Sequence, residues 1–427
     1  MLKATKFTRP KTEFSPRAIG VLVGSIVGLS LGPSGLLFAT FTLFMQPMGD
    51  EFGWNRGGIS FLITILGISI AIGSPTKGYL FDRWGVRNVV VPLTFALGFA
   101  IAALALTSGD NMAIYALFAL IGLLTPGNVP FGKIIAEWFH RQRGMAYGLL
   151  GFGYVISAPL ALQAARLLID WIGWRFTFVV FGGLQLFVAL PLLFVLLRSP
   201  PATAESPIVA IEPSQNATPK SAPGASLGEA WMSRSYWLVV GNLVLGIFVY
   251  MGLMTHGVAI LTEKGLSREA ATAVLSALSI GGMFSQPLLG YLMDRFDTSR
   301  IALPFSLAAP IGLFIVQASS DIWALVAGFA IVGLGAGGEV GTTQYFVSRY
   351  FGLRNFSVIY GSIQPFTLAL AIGLGPYLLG IYYDRTGSYQ LDLRIMDVAL
   401  ITASFLLLLL GPYAFPVSTR SISQAAE

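Results

Sequence analysis

The sequence predicts an all-α membrane protein, with twelve transmembrane helices arranged as two pseudo-symmetric six-helix bundles. Three observations carry this. First, 55% of the 427 residues are hydrophobic and the mean hydropathy is +0.74, which leaves too little polar surface for a water-soluble globule. Second, apolar runs of about 20 residues, the length that crosses a bilayer as helix, recur along the chain. Third, Gly-Tyr-Leu-x-Asp-Arg occurs at Gly78 and again at Gly290, 212 residues later, so whatever that motif does is done in two halves of one molecule.

In chain order, residues 1–17, "MLKATKFTRPKTEFSPR", read as a cytoplasmic tail. They are rich in Lys and Arg and precede a run too long for a signal-peptide core, with no evident small-residue cleavage site. The first bundle occupies 18–198, with spans expected at 18–47, 57–80, 88–107, 111–136, 144–168 and 174–197. Residues 199–233 are rich in Pro, Ala and Ser and read as a flexible cytoplasmic linker, because that composition cannot bury enough apolar surface to fold. The second bundle occupies 234–415, with spans at 236–262, 270–293, 301–318, 322–347, 356–381 and 396–415, and residues 416–427 form a second cytoplasmic tail. The fourth span contains "LLTPGNVPFGK", whose prolines and glycines weaken its hydrogen-bond ladder and allow a kink or a hinge.

Eighteen of the 26 Lys and Arg residues, Lys77 among them, fall on the side of the two termini, and six fall in the opposite loops. Cytoplasmic loops are enriched in these residues, so both termini are expected in the cytoplasm, with a bacterial inner membrane as the default compartment. The net charge of +6 is dispersed over juxtamembrane loops, which speaks against nucleic acid as a partner. With no Cys and two His there is no disulfide, no thiolate nucleophile and no basis for a metal site or cofactor. The absence of a nucleophile–base set, a phosphate loop and a sizeable soluble domain argues against an enzyme.

The duplication extends to "EWFHRQRGMAYG" from Glu137 and "SRYFGLRNFSVIYG" from Ser348. Parallel six-span repeats facing each other across a central cavity are a transporter architecture, in which access alternates as the halves rock about a midplane site. "GYLFDRWGVR" matches every position of Gly-x-Leu-x-Asp-Arg-x-Gly-x-Arg, the loop motif between spans 2 and 3 of the major facilitator superfamily, which the chain therefore resembles. The resemblance makes Gly78, Asp82, Arg83, Gly85 and Arg87 a cytoplasmic gate, with Arg143 in the next such loop. Asp294 and Arg295 form a second copy, in which Asp297 replaces the Gly. Asp82 is expected to pair with Arg83 or Arg87 and to accept hydrogen bonds from the N-terminus of a neighbouring helix.

Within that superfamily, "WFHRQRGMAYG" resembles the monocarboxylate transporter signature Tyr-Phe-x-Lys-Arg-Arg-x-Leu-Ala-x-Gly, with Phe139, Arg143, Ala146 and Gly148 identical. "GWRFTF", "SAPLAL" and "YYDRTGSY" extend the likeness to that family and its oxalate/formate antiporter neighbours. Proton-linked or exchange transport of small organic carboxylates is what this implies. Most of the family's charged substrate residues are missing, however. Gly282 and Gln286 stand before Pro287 where carriers have Asp and Arg, and no basic residue lies between Arg17 and Arg56 or between Arg354 and Arg385. Span 5, "GFGYVISAPLALQ", departs from the glycine-rich motif of proton/drug antiporters.

Polar groups at membrane depth are costly and mark cavities or partners. Glu339, eleven residues before Tyr350 and so roughly 16 Å into its span, is the proton-coupling candidate. Lys133 either meets a substrate carboxylate or snorkels to the interface, and Arg166 is spaced to pair with Asp170. His256 titrates near neutral pH unless it is an ordinary interior hydrogen-bonding residue. Asn128, Tyr250, Gln286, Gln344, Gln364 and Gln163 are uncharged groups able to hydrogen-bond a ligand or to pack helices. The expected function is secondary active transport of a small organic anion by alternating access, coupled to protons in a lipid bilayer. Export of amphipathic, drug-like compounds is the alternative, and a non-transporting membrane sensor the remote one.

Overall fold

The computed structural model describes residues 13–54, 56–108, 111–200 and 223–415. The terminal segments 1–12 and 416–427 and most of the expected linker, 201–222, lie outside the described residues. Helices occupy every apolar run read from the sequence, and among the described residues there is no strand beyond one isolated bridge.

The first run is split into α1 (Pro16–Leu31) and α2 (Leu37–Phe52) at Gly32-Pro33-Ser34-Gly35. Then follow α3 (Arg56–Trp84), α4 (Val86–Ala103), α5 (Asn111–Leu124), α6 (Val129–Trp138), α7 (Arg143–Leu184) and, after a π-helical turn, α8 (Leu190–Leu196). A short α9 (Leu227–Met232) leads into α10 (Arg234–Glu263), α11 (Arg268–Arg295), α12 (Leu303–Ala318), α13 (Ile322–Ala336) and α14 (Glu339–Tyr350). The last helices are α15 (Phe356–Phe366), α16 (Gly375–Thr386) and α17 (Gln390–Leu408). Among the described residues, nine stretches are long and apolar enough to cross a membrane; one of them, Arg143–Leu196, holds two helices joined where Gly173 takes φ 78°. The protein is a multi-pass integral membrane protein.

Local chemistry explains the ends and breaks. Ser15, Ser233 and Ser267 each accept a hydrogen bond from the backbone N–H three residues on, satisfying an orphan donor of α1, α10 and α11. Gly85 turns the chain from α3 into α4 at φ 84°, a left-handed conformation that a side chain strains, which accounts for the glycine of the loop motif. The last part of the expected linker, from residue 223, carries a short helix and hydrogen bonds to the second half. Ser226 and Glu229 form a capping box on α9, and Leu353 N–H donates to Pro223 O while Ala225 N–H donates to Phe351 O. The fourth and tenth runs are each broken near the middle, α5 from α6 at 125–128 and α13 from α14 at 337–338; only the first break was legible, because only it contains proline.

The apolar cores show how the halves meet. At the end of the bundle where the described chain begins and ends, here the terminal face, one continuous core joins both halves, from Val21 and Phe139 to Tyr236, Phe351 and Leu407. Toward the opposite end there are two separate cores. One runs from Leu36 to Phe181 within the first half, with Leu368 the contact from the second, and the other runs from Val249 to Leu400 within the second half.

Candidate functional site

Two carboxylates fasten the halves on the terminal face. Asp82, in the last turn of α3, accepts from the N–H groups of Ser357 (3.2 Å) and Val358 (2.9 Å), the opening amides of α15. Those amides have no partner within their own helix and lie at its positive dipole end. Lys133 Nζ, on α6, donates to Asp82 Oδ1 at 2.8 Å and to Phe81 O at 3.0 Å, with Glu137 3.8 Å away. The counter-ion of Asp82 is thus Lys133 rather than Arg83 or Arg87. One residue along a helix is about 100° of rotation, and it turns Arg83 outward to Tyr79 OH (3.0 Å), while Arg87 lies over the Phe194 ring at 4.4 Å.

The second half answers in kind. Asp294, in the last turn of α11, accepts from Gly144 N–H (2.6 Å) and Met145 N–H (2.7 Å), at the start of α7. Arg295 donates to Tyr291 OH at 3.4 Å, matching Arg83 and Tyr79. The helices touch backbone to backbone. A methyl group at Gly78 would lie 2.3 Å from Ser357 O, one at Gly144 2.3 Å from Gly290 O, and one at Gly290 2.1 Å from Gly144 O. Arg143, buried, donates to Phe139 O and Ala136 O at 2.9 Å each, closing the C-terminal end of α6. Arg349 donates to Tyr345 OH (3.2 Å) and His140 O (3.4 Å). Glu13 accepts from the backbone N–H groups of His140, Arg141 and Gln142 at 3.0 Å, so the lead-in to α1 holds the loop ahead of α7. Burial, reinforced by Arg143, pushes the His140 imidazole below its ordinary range.

Behind the latches, where α5/α6 and α13/α14 are broken, lies a polar node. Asn128 Nδ2 donates to Tyr360 OH at 2.8 Å. Gln344 Nε2 lies 3.5 Å from both Tyr360 OH and Asn128 O, and the Gln364 side chain bonds the same hydroxyl. Gln286 donates from Nε2 to Gly337 O at 2.6 Å, at the end of α13. Tyr250 lies against Gly282 and bonds Ser279. Glu339 is the first residue of α14, at this break; its side chain lies outside the described residues.

Other candidates stand apart. His256 has both ring nitrogens occupied within the second half, by Tyr389 OH (3.2 Å) and Pro376 O (2.9 Å). Arg166 faces Asp170 at 3.9 Å with both side chains about two-thirds exposed, 68% and 69%. At position 282, where the carrier residue is missing, a methyl would stand 3.3 Å from Gly337 Cα and 3.6 Å from Gly333 O, a tight fit of α11 against the end of α13.

Two residues escaped the sequence reading. Tyr360, centre of the node, occupies the Tyr-Gly pair that echoes Tyr147-Gly148 in the repeated segment, where Tyr147 OH instead donates to a backbone carbonyl, Gly132 O, at 2.9 Å. Lys77, counted among the terminal-side loop charges, is buried within α3, where Nζ donates to Thr125 O and, at 3.3 Å, to Gly122 O. Its position inside the run 57–80 was the available signal.

Known proteins agree with this architecture. The chain is 25% identical to human monocarboxylate transporter 11 over 96% of this chain and 88% of that protein. It is 27% identical to a gallate transporter of Pseudomonas putida over 79% of this chain and 82% of that one. A solved bacterial homologue of the iron transporter ferroportin, in an outward-facing state, superposes with a TM-score of 0.72 at 14% identity, covering 92% of this chain and 99% of that one. The family model of the Major Facilitator Superfamily matches residues 27–376, and the chain belongs to that superfamily.

Proposed function

We propose that the protein is a secondary active transporter that moves a small organic carboxylate across a bacterial inner membrane by alternating access, with proton coupling and both termini in the cytoplasm. The observation that carries the reading is the paired latch. Asp82 and Asp294 each cap a helix of the opposite half on one face, while the cores separate toward the other. Bundles 18–198 and 234–415 are the rocking units, and this state is closed on the terminal face. Substrate enters from the far side to the node around Tyr360, and its arrival there loosens the latch helices, which run directly from the node to the terminal face. Glu339, at the start of a half-helix in the node, carries the proton. The substrate class follows from the relatives, which include monocarboxylate and gallate transporters.

The test is thermal stabilisation of the purified protein by lactate, oxalate, benzoate, gallate, a sugar and a lipophilic cation at two pH values, followed by uptake into proteoliposomes under an imposed proton gradient. Stabilisation by carboxylates and gradient-driven uptake support the reading. Stabilisation by the lipophilic cation alone replaces it with an exporter of amphipathic compounds, which the largely uncharged node would suit.

A further inference from the structure

We propose that the Lys77 ammonium is the cation that receives the substrate's carboxylate. The inference rests on the transport reading above and names the group that reading lacks, since the node around Tyr360 offers a bound anion amides and a hydroxyl but no described positive charge.

Lys77 is 5% exposed, and among the described residues no carboxylate lies within ion-pair distance of it. The other buried cations have charged company. Lys133 is bonded to Asp82, and Arg143 and Arg349 both act electrostatically on Asp294. Among the described residues Lys77 Nζ donates to two acceptors, the carbonyls of Gly122 and Thr125 at the C-terminal end of α5, which leaves one of its three ammonium protons without a described acceptor. Beside it Gly73, one turn back on α3, carries no side chain, and a methyl there would stand 3.3 Å from Leu123 Cδ2 and 3.4 Å from Nζ. Thr125 is three residues from Asn128, so the ammonium stands at one edge of the break whose other edge carries the amide bonded to Tyr360.

The second half shows what mere capping requires. There the broken end of α13 is held by the neutral Gln286, whose amide donates to Gly337 O, and by Ser285, whose hydroxyl donates to Leu334 O. Gln286 sits on α11, the repeat mate of α3. A neutral amide suffices at that break, and a buried cation without a counter-ion is costly. The charge at position 77 therefore exceeds the structural need and fits an anion that comes and goes. Carbonyl dipoles hold the ammonium in the empty protein, and a carboxylate, binding by charge-assisted hydrogen bonds, competes for it. The asymmetry also orients the substrate, with its carboxylate toward the first half and its remaining surface toward Gln344 and Gln364.

The experiment compares benzoate, gallate and lactate with the neutral isostere benzamide as ligands of the full-length protein, wild type and Lys77→Gln, by thermal shift and titration. Lys77→Gln copies the Gln286 solution. It is expected to keep the unliganded melting temperature near wild type, to bind carboxylate at least about tenfold more weakly, and to leave benzamide binding unchanged. Lys77→Arg should restore the preference for carboxylate. Equal carboxylate affinity in wild type and Lys77→Gln, or parallel loss of carboxylate and benzamide binding, overturns the proposal while leaving the transport reading intact. Absence of stabilisation of the wild type by every carboxylate overturns both. Should Lys77→Gln fail to fold, Gly73→Ala keeps the ammonium and its carbonyls and places a methyl beside it. Weaker carboxylate binding in that variant supports the role, and unchanged binding refutes it.

Discussion

Asp82 and Asp294 stand 212 residues apart and perform the same act in opposite directions: each leaves the last turn of its own helix to cap the first amides of a helix in the other half. Because each half both gives and receives a carboxylate, the terminal face is closed by two contacts of equal kind. A charge at a helix N-terminus is a stable arrangement that is lost as soon as the helix moves by a few ångströms, which is what a reversible gate needs. The two contacts differ in their surroundings, since Asp82 has a direct cationic partner, Lys133, and Asp294 has only neighbouring arginines.

Asp82→Asn removes the charge from one cap and leaves Lys133 with the more distant Glu137, 3.8 Å away, as its anion. Loss of about 1–2 kcal/mol from the closed state shifts the equilibrium toward a terminal-face-open form by roughly 5- to 30-fold. Spin-label distances between the ends of α3 and α15 should lengthen, and maximal transport velocity should fall more than affinity. Unchanged distances would remove the latch.

Gly290→Ala places a methyl 2.1 Å from Gly144 O while leaving each bundle's interior alone. Overpacking of about 1–3 kcal/mol is borne by the contact between halves, so hydrogen exchange at the Gly144 and Met145 amides should accelerate without a matching change elsewhere in α7.

Tyr360→Phe deletes the oxygen on which Asn128, Gln344 and Gln364 converge, leaving buried donors unsatisfied at about 1–3 kcal/mol. The melting temperature should drop by several degrees and the substrate KM should rise. A variant as stable as wild type would mean that the node is already solvated.

Glu339→Gln, at the start of α14, should abolish proton-driven accumulation in proteoliposomes while preserving substrate exchange without a gradient. Undiminished accumulation would assign the proton elsewhere.

Burial, reinforced by Arg143, disfavours the charged form of His140 in the folded loop and lowers its pKa. The unfolded state therefore binds a proton that the folded state resists, so stability falls as pH drops through the ordinary imidazole range toward the lower folded value. His140→Gln should flatten the melting-temperature profile below about pH 6.5. Parallel profiles would show that the loop opens freely.

How much was legible differs by residue. The latch aspartates and the spaced glycines could be read because they repeat: two copies of Gly-Tyr-Leu-x-Asp-Arg mark the same use twice. Asn128, Gln344 and Gln364 could be picked out one by one as polar groups in apolar runs, but nothing in their spacing announces that they share Tyr360. Lys77 was misplaced because a charge near a span end looks like a loop charge until packing buries it.

The sequence by itself determined the helical class, the duplicated halves and the gate's residue types, since hydropathy, span length and repetition are properties of consecutive residues. Only the tertiary structure decided the partners: Lys133 rather than Arg83 for Asp82, α15 and α7 for the two carboxylates, Tyr360 for three amides, and the α5 carbonyls for Lys77. The reason is geometric. A hydrogen bond or ion pair depends on distances of about 3 Å, and the rotation of one helix against another, which a linear pattern does not encode, selects which of two adjacent side chains comes that close.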